Sequence, residues 1–303
     1  ERRNVAGPLG DSVEADFAVI ADRKFAAIEM ALASGIALIA PEDLDPLRAT
    51  TFGTGQLVLE ALNMGAKHIV VGLGGSATND GGLGMAAALG AKFFDGSGTL
   101  LEPLPHNLGH IEHIDLSQID LRLADCRVEA MCDVQTPLCG PTGATAIFGP
   151  QKGVTSEQVK TLDADLRHFA RVIVTSVGIQ VSDMPGAGAA GGLGAGLVAF
   201  AGAKLRKGVD LVAELVQLDE AMADADLCIT GEGRIDEQTQ YGKAPAGVAT
   251  CARTHGVPCI AVAGSIGQDL GTLYDLGLSA AFALADGPMT LETSMSKTGP
   301  LLE

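Results

Sequence analysis

The chain has little positive charge and no long apolar run. Its 303 residues include 20 Lys and Arg against 37 Asp and Glu, so the formal net charge is −17. A protein this acidic repels the phosphates of nucleic acids and of anionic membranes, so we expect neither as a partner. An anionic metabolite would need a divalent cation or locally placed Arg and Lys residues. No apolar run reaches the roughly 18 residues of a membrane span and no signal peptide is recognised, so we expect no membrane segment.

Two further absences restrict which class of protein this chain can belong to. The six cysteines form no CxxC pair and several lie in apolar runs, which is typical of reduced structural thiols in a cytoplasmic protein. The Walker A pattern GxxxxGK[ST] occurs nowhere, which excludes the ordinary P-loop fold. The apolar content of 47% supports a sizeable core, and the length allows two domains. The first Met is Met30, so we expect a further segment before Glu1.

A glycine-rich segment at residues 72–84 carries the strongest local signal. It reads Gly-Leu-Gly-Gly-Ser-Ala-Thr-Asn-Asp-Gly-Gly-Leu-Gly. The apolar run His68–Gly72 before it predicts a strand, and the alanine-rich run 84–89 after it predicts a helix. Glycines let backbone N–H groups turn toward an anion, and a helix N-terminus adds a positive end. Hydroxyls and a carboxylate beside such a loop suit phosphate and Mg²⁺.

Apolar patterns elsewhere predict alternating strands and helices. The predicted strands include residues 13–20, 68–72 and 227–230, and the predicted helices include residues 25–33, 155–177 and 210–223. The helix at 155–177 begins with the capping box Thr155-x-x-Gln158. Strands that alternate with helices favour a parallel sheet with helices on both faces.

Two more glycine-rich segments accompany the first. Residues 185–192 open a predicted helix, and residues 231–236 follow the predicted strand at 227–230. In open α/β sheets ligands bind at the carboxyl ends of strands, so we expect the loops after residues 72 and 230 to share one sheet edge. Arg234 and Lys243 suit a carboxylate and a phosphate respectively. Alternatively, they form surface ion pairs with Glu232, Asp236 or Glu237.

A dinucleotide-binding interpretation stays open beside phosphate transfer. Residues 72–77 and 186–191 match the pattern GxGxx(G/A) in outline. An NAD-dependent dehydrogenase of a small hydroxy acid is therefore a second hypothesis. Asp80 would repel a pyrophosphate unless a metal lay between them, which favours a Mg²⁺–nucleotide site. A catalytically silent ligand-binding relative is a third hypothesis.

The chain resembles the glycerate kinase family, whose members phosphorylate glycerate with ATP. The resemblance spans about residues 7–284 and lies in residues 72–90, 148–153, 185–192, 229–236 and 242–245. It implies two α/β domains, one of them Rossmann-like with a mostly parallel sheet, and an active site in the cleft between them. We expect residues 45–92 plus 205–303 to form the Rossmann-like domain and residues 1–44 plus 93–204 to form the other. Family members usually begin with a further segment that this sequence lacks.

The resemblance also implies the reaction. The γ-phosphoryl group of ATP would move to a hydroxyl of D-glycerate, by family analogy the 2-hydroxyl, with Mg²⁺ as the second cofactor. The partners would then be small molecules, and a homodimer stays open. Reactions of this kind depend mainly on positioning and on stabilisation of charge.

The chemistry of individual residues suggests roles in that reaction. We expect the phosphates to be bound by the glycine-rich segments, at Gly74, Gly75, Ser76, Thr78, Asn79, Gly81, Gly186, Gly188, Gly191, Gly231 and Gly233. Asp80 is the first candidate for the base or the Mg²⁺ ligand, Asp236 the second and Asp133 the third. Arg234 would hold the carboxylate of glycerate. Lys243 would neutralise phosphoryl charge.

Overall fold

The chain forms two compact units. The computed structural model describes residues 1–241 and 243–303, and it divides them into units of residues 1–206 and 207–303. This division differs from the predicted grouping of 45–92 with 205–303, because the strand at residues 68–72 pairs with strands at residues 25–29 and 127–131. Gly242, part of the family motif, lies outside the described residues.

The first unit is built on a mixed sheet. Its strands are β1 (Arg2–Ala6), β2 (Ser12–Ile20), β3 (Phe25–Glu29), β4 (His68–Gly72), β5 (Lys92–Phe94), β6 (His113–Asp115), β7 (Arg127–Met131) and β8 (Lys204–Arg206). The main sheet has the order β1-β2-β3-β4-β7-β8, and β5 pairs separately with β6. β1, β2 and β3 pair antiparallel, whereas β3, β4, β7 and β8 run parallel. The carboxyl ends of these four parallel strands therefore lie along one edge.

Helices cover this sheet and form a second core beside it. They are α1 (Ala31–Ser34), α2 (Phe52–Asn63), α3 (Leu83–Ala88), α4 (Ala144–Phe148), α5 (Gln158–Val177) and α6 (Ala189–Ala201). Leu57 of α2 and Leu193 of α6 are buried in one core with the β4 side chains. Phe93, Phe169 and Phe200 centre the second core, with ring centroids 6.0–6.3 Å apart. Both cores include residues of the glycine-rich segments, Leu73 and Ala189 in the first and Ala187 in the second.

The predicted elements of this unit are confirmed with one exception. The strand at 68–72 and the helix ending at Val177 are present. Thr155 and Gln158 form the predicted capping box, since each backbone N–H donates to the other side chain, at 2.9 and 3.3 Å. The predicted helix at 25–33 is wrong, because residues 25–29 form β3 between β2 and β4. The apolar run at residues 25–33 is too short to distinguish the helical period from the strand period. Pairing with β2 and β4 makes residues 25–29 a strand.

The second unit has a parallel sheet of order β11-β10-β9. Its strands are β9 (Cys228–Ile235), β10 (Cys259–Ile266) and β11 (Leu278–Ala283), and its helices are α7 (Gly208–Leu215), α8 (Leu218–Ala223), α9 (Ala244–His255), α10 (Gly271–Leu276), α11 (Leu291–Ser296) and α12 (Thr298–Leu302). Ala249 and Ala252 of α9 share a buried cluster with Ala261 and Ala263 of β10. Small side chains here let the helix approach the sheet closely.

Three predictions that involve this unit are wrong. The helix at 210–223 is split into α7 and α8 at Gln217, which has a φ of 56°. β9 extends to Ile235, so most of the segment 231–236 is strand rather than loop. β9 also belongs to a different sheet from β4, so the two glycine segments do not share the edge of a common sheet. None of the described helices combines the length and apolarity that a membrane crossing requires.

Candidate functional site

A pocket of about 420 Å³ opens at the carboxyl ends of β4 and β7. We call it the glycine pocket; it is lined by Ile36, residues 73–76, residues 131–134, Phe148, Gln151, Lys152 and residues 189–190. Its position is where open α/β sheets bind ligands. The first two glycine-rich segments of the sequence therefore contribute to one pocket within the first unit.

Exposed backbone forms one rim of the glycine pocket. Gly74 and Gly75 are exposed, and a Cβ added to Gly74 would meet nothing within 4 Å. Gly75 has a φ of +70°, a conformation that favours glycine. The Gly75 carbonyl accepts a hydrogen bond from the Ile36 N–H at 2.8 Å, which holds the loop against the chain after α1. This rim is exposed, so Gly74 and Gly75 stay candidates for contact with a ligand.

Lys152 is a buried cation in the wall of this pocket. It ends the short turn after α4 and is 2% exposed. Its Nζ donates to Ser76 Oγ at 2.7 Å and to the Thr78 carbonyl at 2.8 Å. Burial lowers the pKa of Lys152 from 10.5 to about 7, against the opposing effect of the Asp80 charge. A proton at this site can therefore respond to pH near neutrality.

Sequence reasoning assigned no role to Lys152. Lys152 lies inside the family motif Phe148-Gly-Pro-Gln-Lys-Gly153. A lysine close to Gly and Pro residues in a net-acidic chain is the one local feature that indicates an anion-binding role. Its partner Ser76 lies 76 residues earlier. A contact at that separation leaves no local pattern.

Asp80, the first candidate for base or metal ligand, is fully enclosed. Its Oδ2 accepts hydrogen bonds from the Thr51 N–H (2.8 Å), the Thr51 hydroxyl (2.7 Å) and the Gly84 N–H (3.1 Å). Its Oδ1 accepts from the Gly82 N–H at 3.0 Å. The residue is 0% exposed, and burial raises the pKa of its carboxyl. This geometry argues for an anchor that joins the glycine loop to the start of α2 and α3, and against direct contact with a ligand.

Thr78, Asn79 and Gly81 also face inward. The Thr78 hydroxyl donates to the Ala190 carbonyl at 3.3 Å, and the Gly81 N–H donates to the Gly191 carbonyl at 3.0 Å. The Asn79 amide donates to the Thr145 hydroxyl at 3.1 Å. These predicted phosphate-binding residues instead tie the first glycine segment to the second and to α4.

The glycines of the second segment permit this close packing. A Cβ on Gly191, whose φ is +64°, would lie 1.8 Å from the Thr78 carbonyl. A Cβ on Gly188 would lie 2.2 Å from the Pro137 carbonyl, and one on Gly186 would lie 2.8 Å from Cys132 Sγ. The glycines at 186, 188 and 191 therefore allow neighbouring segments of the chain to pack closely against them. Ala189 and Ala190 form part of the pocket wall.

Asp133 is the predicted carboxylate that the structure places in the glycine pocket. It lies two residues after the end of β7, is exposed and lines the pocket together with Ser76 and Lys152. A carboxylate at the end of a parallel strand is well positioned to reach a ligand at that edge. The third candidate from the sequence thus has the most suitable location of the three.

The remaining candidates lie in the second unit. Arg234 forms an ion pair with Asp236 at 3.2 Å, and Lys243 Nζ lies 4.0 Å from Glu232. The ion pairs anticipated as the alternative are therefore present. Arg234 keeps 68% of its side chain exposed, so exchange for an anionic ligand costs little in this geometry.

A second pocket, of about 1010 Å³, lies at the carboxyl ends of β9 and β10. We call it the second-unit pocket. Glu232, Gly233, Arg234 and Ser265 line one side, and apolar residues of the segment 284–298, including Met289, Leu291 and Met295, line the other. Gly233 has open space at its Cβ position, whereas a Cβ on Gly231 would lie 2.3 Å from the Val262 carbonyl. Gly233 is thus placed for a ligand, and Gly231 for strand packing.

Comparison with known proteins decides the family. A model of the glycerate kinase family matches residues 1–303. The chain belongs to the glycerate kinase family. It is 48% identical over 299 residues to the glycerate kinase of Halalkalibacterium halodurans, covering 99% of this chain and 79% of that protein. It is 47% identical over 288 residues to the glycerate 2-kinase of Escherichia coli, covering 95% and 76%.

A solved structure supports the same assignment. A candidate glycerate kinase 2 from Salmonella typhimurium LT2 is 45% identical, with a TM-score of 0.87, and the match covers 98% of this chain and 78% of that one. This similarity confirms the predicted α/β class with a mostly parallel sheet. The family resemblance stated from the motifs is confirmed as well.

Proposed function

We propose that this chain is an ATP-dependent kinase that transfers the γ-phosphoryl group to a hydroxyl of D-glycerate. Three relatives that carry the name glycerate kinase are 46–48% identical to it over nearly the whole chain. The Escherichia coli relative is named for the 2-position, which supports the 2-hydroxyl as acceptor. The observation that carries the proposal is this family membership together with a glycine-rimmed pocket that holds a buried lysine.

The glycine pocket suits the anionic part of the reaction. Lys152 is the lysine among the described lining residues of this pocket. In its protonated form it attracts phosphoryl oxygens strongly, because little water screens the charge. Lys152 donates to Ser76 Oγ, so the hydroxyl hydrogen of Ser76 is left to donate elsewhere. We assign that hydrogen and the backbone of Gly74 and Gly75 to the oxygens of phosphate or glycerate.

The donors of the glycine pocket also fit Mg²⁺. This ion prefers oxygen ligands and is usually held by one or two carboxylates together with substrate phosphates. The Asp133 carboxylate is exposed and lines the pocket with the Ser76 hydroxyl, whereas the Asp80 carboxylate is fully enclosed. We assign Mg²⁺ to Asp133. A bound Mg²⁺ would neutralise charge on the phosphates.

The second-unit pocket suits the nucleoside part of ATP. Its volume of about 1010 Å³ and its methionine- and leucine-lined wall offer apolar contact to a purine. We assign Arg234 and Lys243 to anionic groups of the reactants, in exchange for Asp236 and Glu232. Asp236 and Gly233 stay candidates for direct contact.

The first experiment measures ADP release with Mg²⁺–ATP and glycerate, with related hydroxy acids, and without acceptor. The proposal expects release that depends on D-glycerate, and phosphorus NMR of the product identifies the phosphorylated hydroxyl. Activity confined to another acceptor would contradict the substrate. Protection against heat by NADH but not by Mg²⁺–ATP would favour the dehydrogenase hypothesis. Protection by Mg²⁺–ATP without any ADP release would favour a silent relative.

A second experiment separates the two pockets. Met295→Glu places a charge in the apolar wall and should raise KM for ATP with little effect on KM for glycerate. Val212→Glu is the matched control, because Val212 is 48% exposed on α7 and does not line the pocket. Equal effects of both variants, or an unchanged KM for ATP in Met295→Glu, would remove the nucleoside from this pocket.

A further inference from the structure

Three potential metal-binding side chains meet on the surface of the second unit. Cys251 and His255 are four residues apart on α9, so they project from one face of the helix. Asp219 reaches them from α8. Its Oδ1 lies 3.3 Å from Cys251 Sγ and 3.0 Å from His255 Nε2. The three potential ligand atoms all lie within 4.8 Å of one another.

The two distances from Asp219 Oδ1 are close to those in the ligand shell of a tetrahedral metal. Zinc bonds of about 2.3 Å to sulfur and about 2.0–2.2 Å to nitrogen and oxygen place neighbouring ligand atoms roughly 3.3–3.6 Å apart. The observed distances of 3.0 and 3.3 Å differ from this by a few tenths of an ångström. Small side-chain rotations on exposed helix surfaces are sufficient to make up that difference.

We propose that Asp219, Cys251 and His255 form a binding site for a divalent metal of the Zn²⁺ class, with water as a further ligand. Thiolate and imidazole ligands favour Zn²⁺, Co²⁺ and similar ions over Mg²⁺ and Ca²⁺, which prefer oxygen. The site is therefore chemically distinct from the Mg²⁺ site assigned to the glycine pocket. It uses no residue of either pocket, so it does not depend on the proposed kinase activity.

Without a metal, hydrogen bonds link the three side chains through Asp219 Oδ1. Burial and the neighbouring Asp219 raise the pKa of the Cys251 thiol to about 11, so the thiol keeps its proton and donates it to Asp219. His255 approaches the same oxygen, so Asp219 ties α8 to α9. A metal would replace these hydrogen bonds with bonds to the same three atoms, and it would displace the thiol proton. The helix–helix tie alone is the competing interpretation.

Cobalt titration separates the two interpretations, because Co²⁺ takes zinc sites and reports its ligands by absorption. The site predicts one Co²⁺ per chain, with a thiolate-to-cobalt charge-transfer band and the strong visible bands of tetrahedral coordination. Zn²⁺ should abolish both sets of bands by competition. Absence of a thiolate band in the intact protein would overturn the proposal in favour of the helix–helix tie.

Three variants identify the ligands. Cys251→Ser should abolish the charge-transfer band, and His255→Gln and Asp219→Asn should each weaken Co²⁺ binding by more than tenfold. Cys126→Ser is the matched control, since Cys126 is a half-buried thiol of the first unit. Unchanged circular dichroism of each variant would show that the fold is intact. A band that persists in Cys251→Ser, or affinities unchanged in the other two variants, would refute the site.

Discussion

Lys152 couples the stability of the first unit to pH. Burial lowers its pKa from 10.5 to about 7, so between these values the unfolded chain binds a proton there that the folded chain does not. The free energy of unfolding must then rise with pH through this window. At about 1.4 kcal/mol per pKa unit, this one group destabilises the fold by roughly 5 kcal/mol well below pH 7, and roughly 3 kcal/mol of this is recovered by pH 9.

Lys152→Met removes this pH dependence while it keeps most of the side-chain volume. The change leaves Ser76 Oγ and the Thr78 carbonyl without their donor, at a cost of about 1–3 kcal/mol at every pH. The stability of the variant relative to the parent should therefore be more favourable at pH 6 than at pH 9, by roughly 2–3 kcal/mol. Activity should fall sharply if the cation serves the reaction.

Urea denaturation at pH 6, 7, 8 and 9 measures this difference. Circular dichroism is the suitable signal because the chain has no Trp and its two tyrosines, Tyr241 and Tyr274, are both in the second unit. Amide hydrogen exchange in β4 reports the first unit alone. Lys160→Met on the exposed side of α5 is the control and should show no change with pH. A difference between Lys152→Met and the parent that is constant from pH 6 to 9 would refute the reasoning.

Three further predictions test the site. Gly74→Ala should leave the denaturation midpoint unchanged, since its Cβ meets nothing within 4 Å, but should lower kcat/KM; Gly191→Ala should prevent folding, because its Cβ would strike the Thr78 carbonyl. Asp80→Asn should lower the free energy of unfolding by about 1–3 kcal/mol, because the amide NH₂ faces N–H donors; intact stability with a turnover loss of ~100-fold would instead restore Asp80 as the base. Asp133→Asn should raise the Mg²⁺ concentration needed for half-maximal activity by at least about tenfold, whereas exposed Asp125→Asn should not; equal Mg²⁺ dependence would remove Asp133 from the metal site.

Local sequence patterns predicted the secondary structure correctly where an element depends only on its own residues. The strand at 68–72 has uninterrupted apolar character, and the Thr155–Gln158 capping box satisfies its backbone donors without help from elsewhere. The helix predicted at 25–33 failed because β3 depends on pairing with β4, some 40 residues later. Neither the pairing nor the split of the last third into its own sheet leaves a short-range signal.

The same distinction between local and distant determinants applies to the residues of the candidate site. Residue chemistry identified the glycine rim at Gly74 and Gly75 and the carboxylate of Asp133. It could not distinguish the enclosed Asp80 from an accessible one, because enclosure depends on Thr51, 29 residues earlier. Residue chemistry also did not identify Lys152, because its pKa depends on burial by residues far away in the sequence.

The amino-acid sequence by itself determined the family, the α/β class, the acidic surface and the glycine loop, because each of these is a property of residue types in order. Only the tertiary structure decided which polar groups are open to a ligand and which are satisfied internally. The physical reason is that burial and hydrogen-bond partners come from segments far apart in the chain, and these set both the charge state and the accessibility of a side chain.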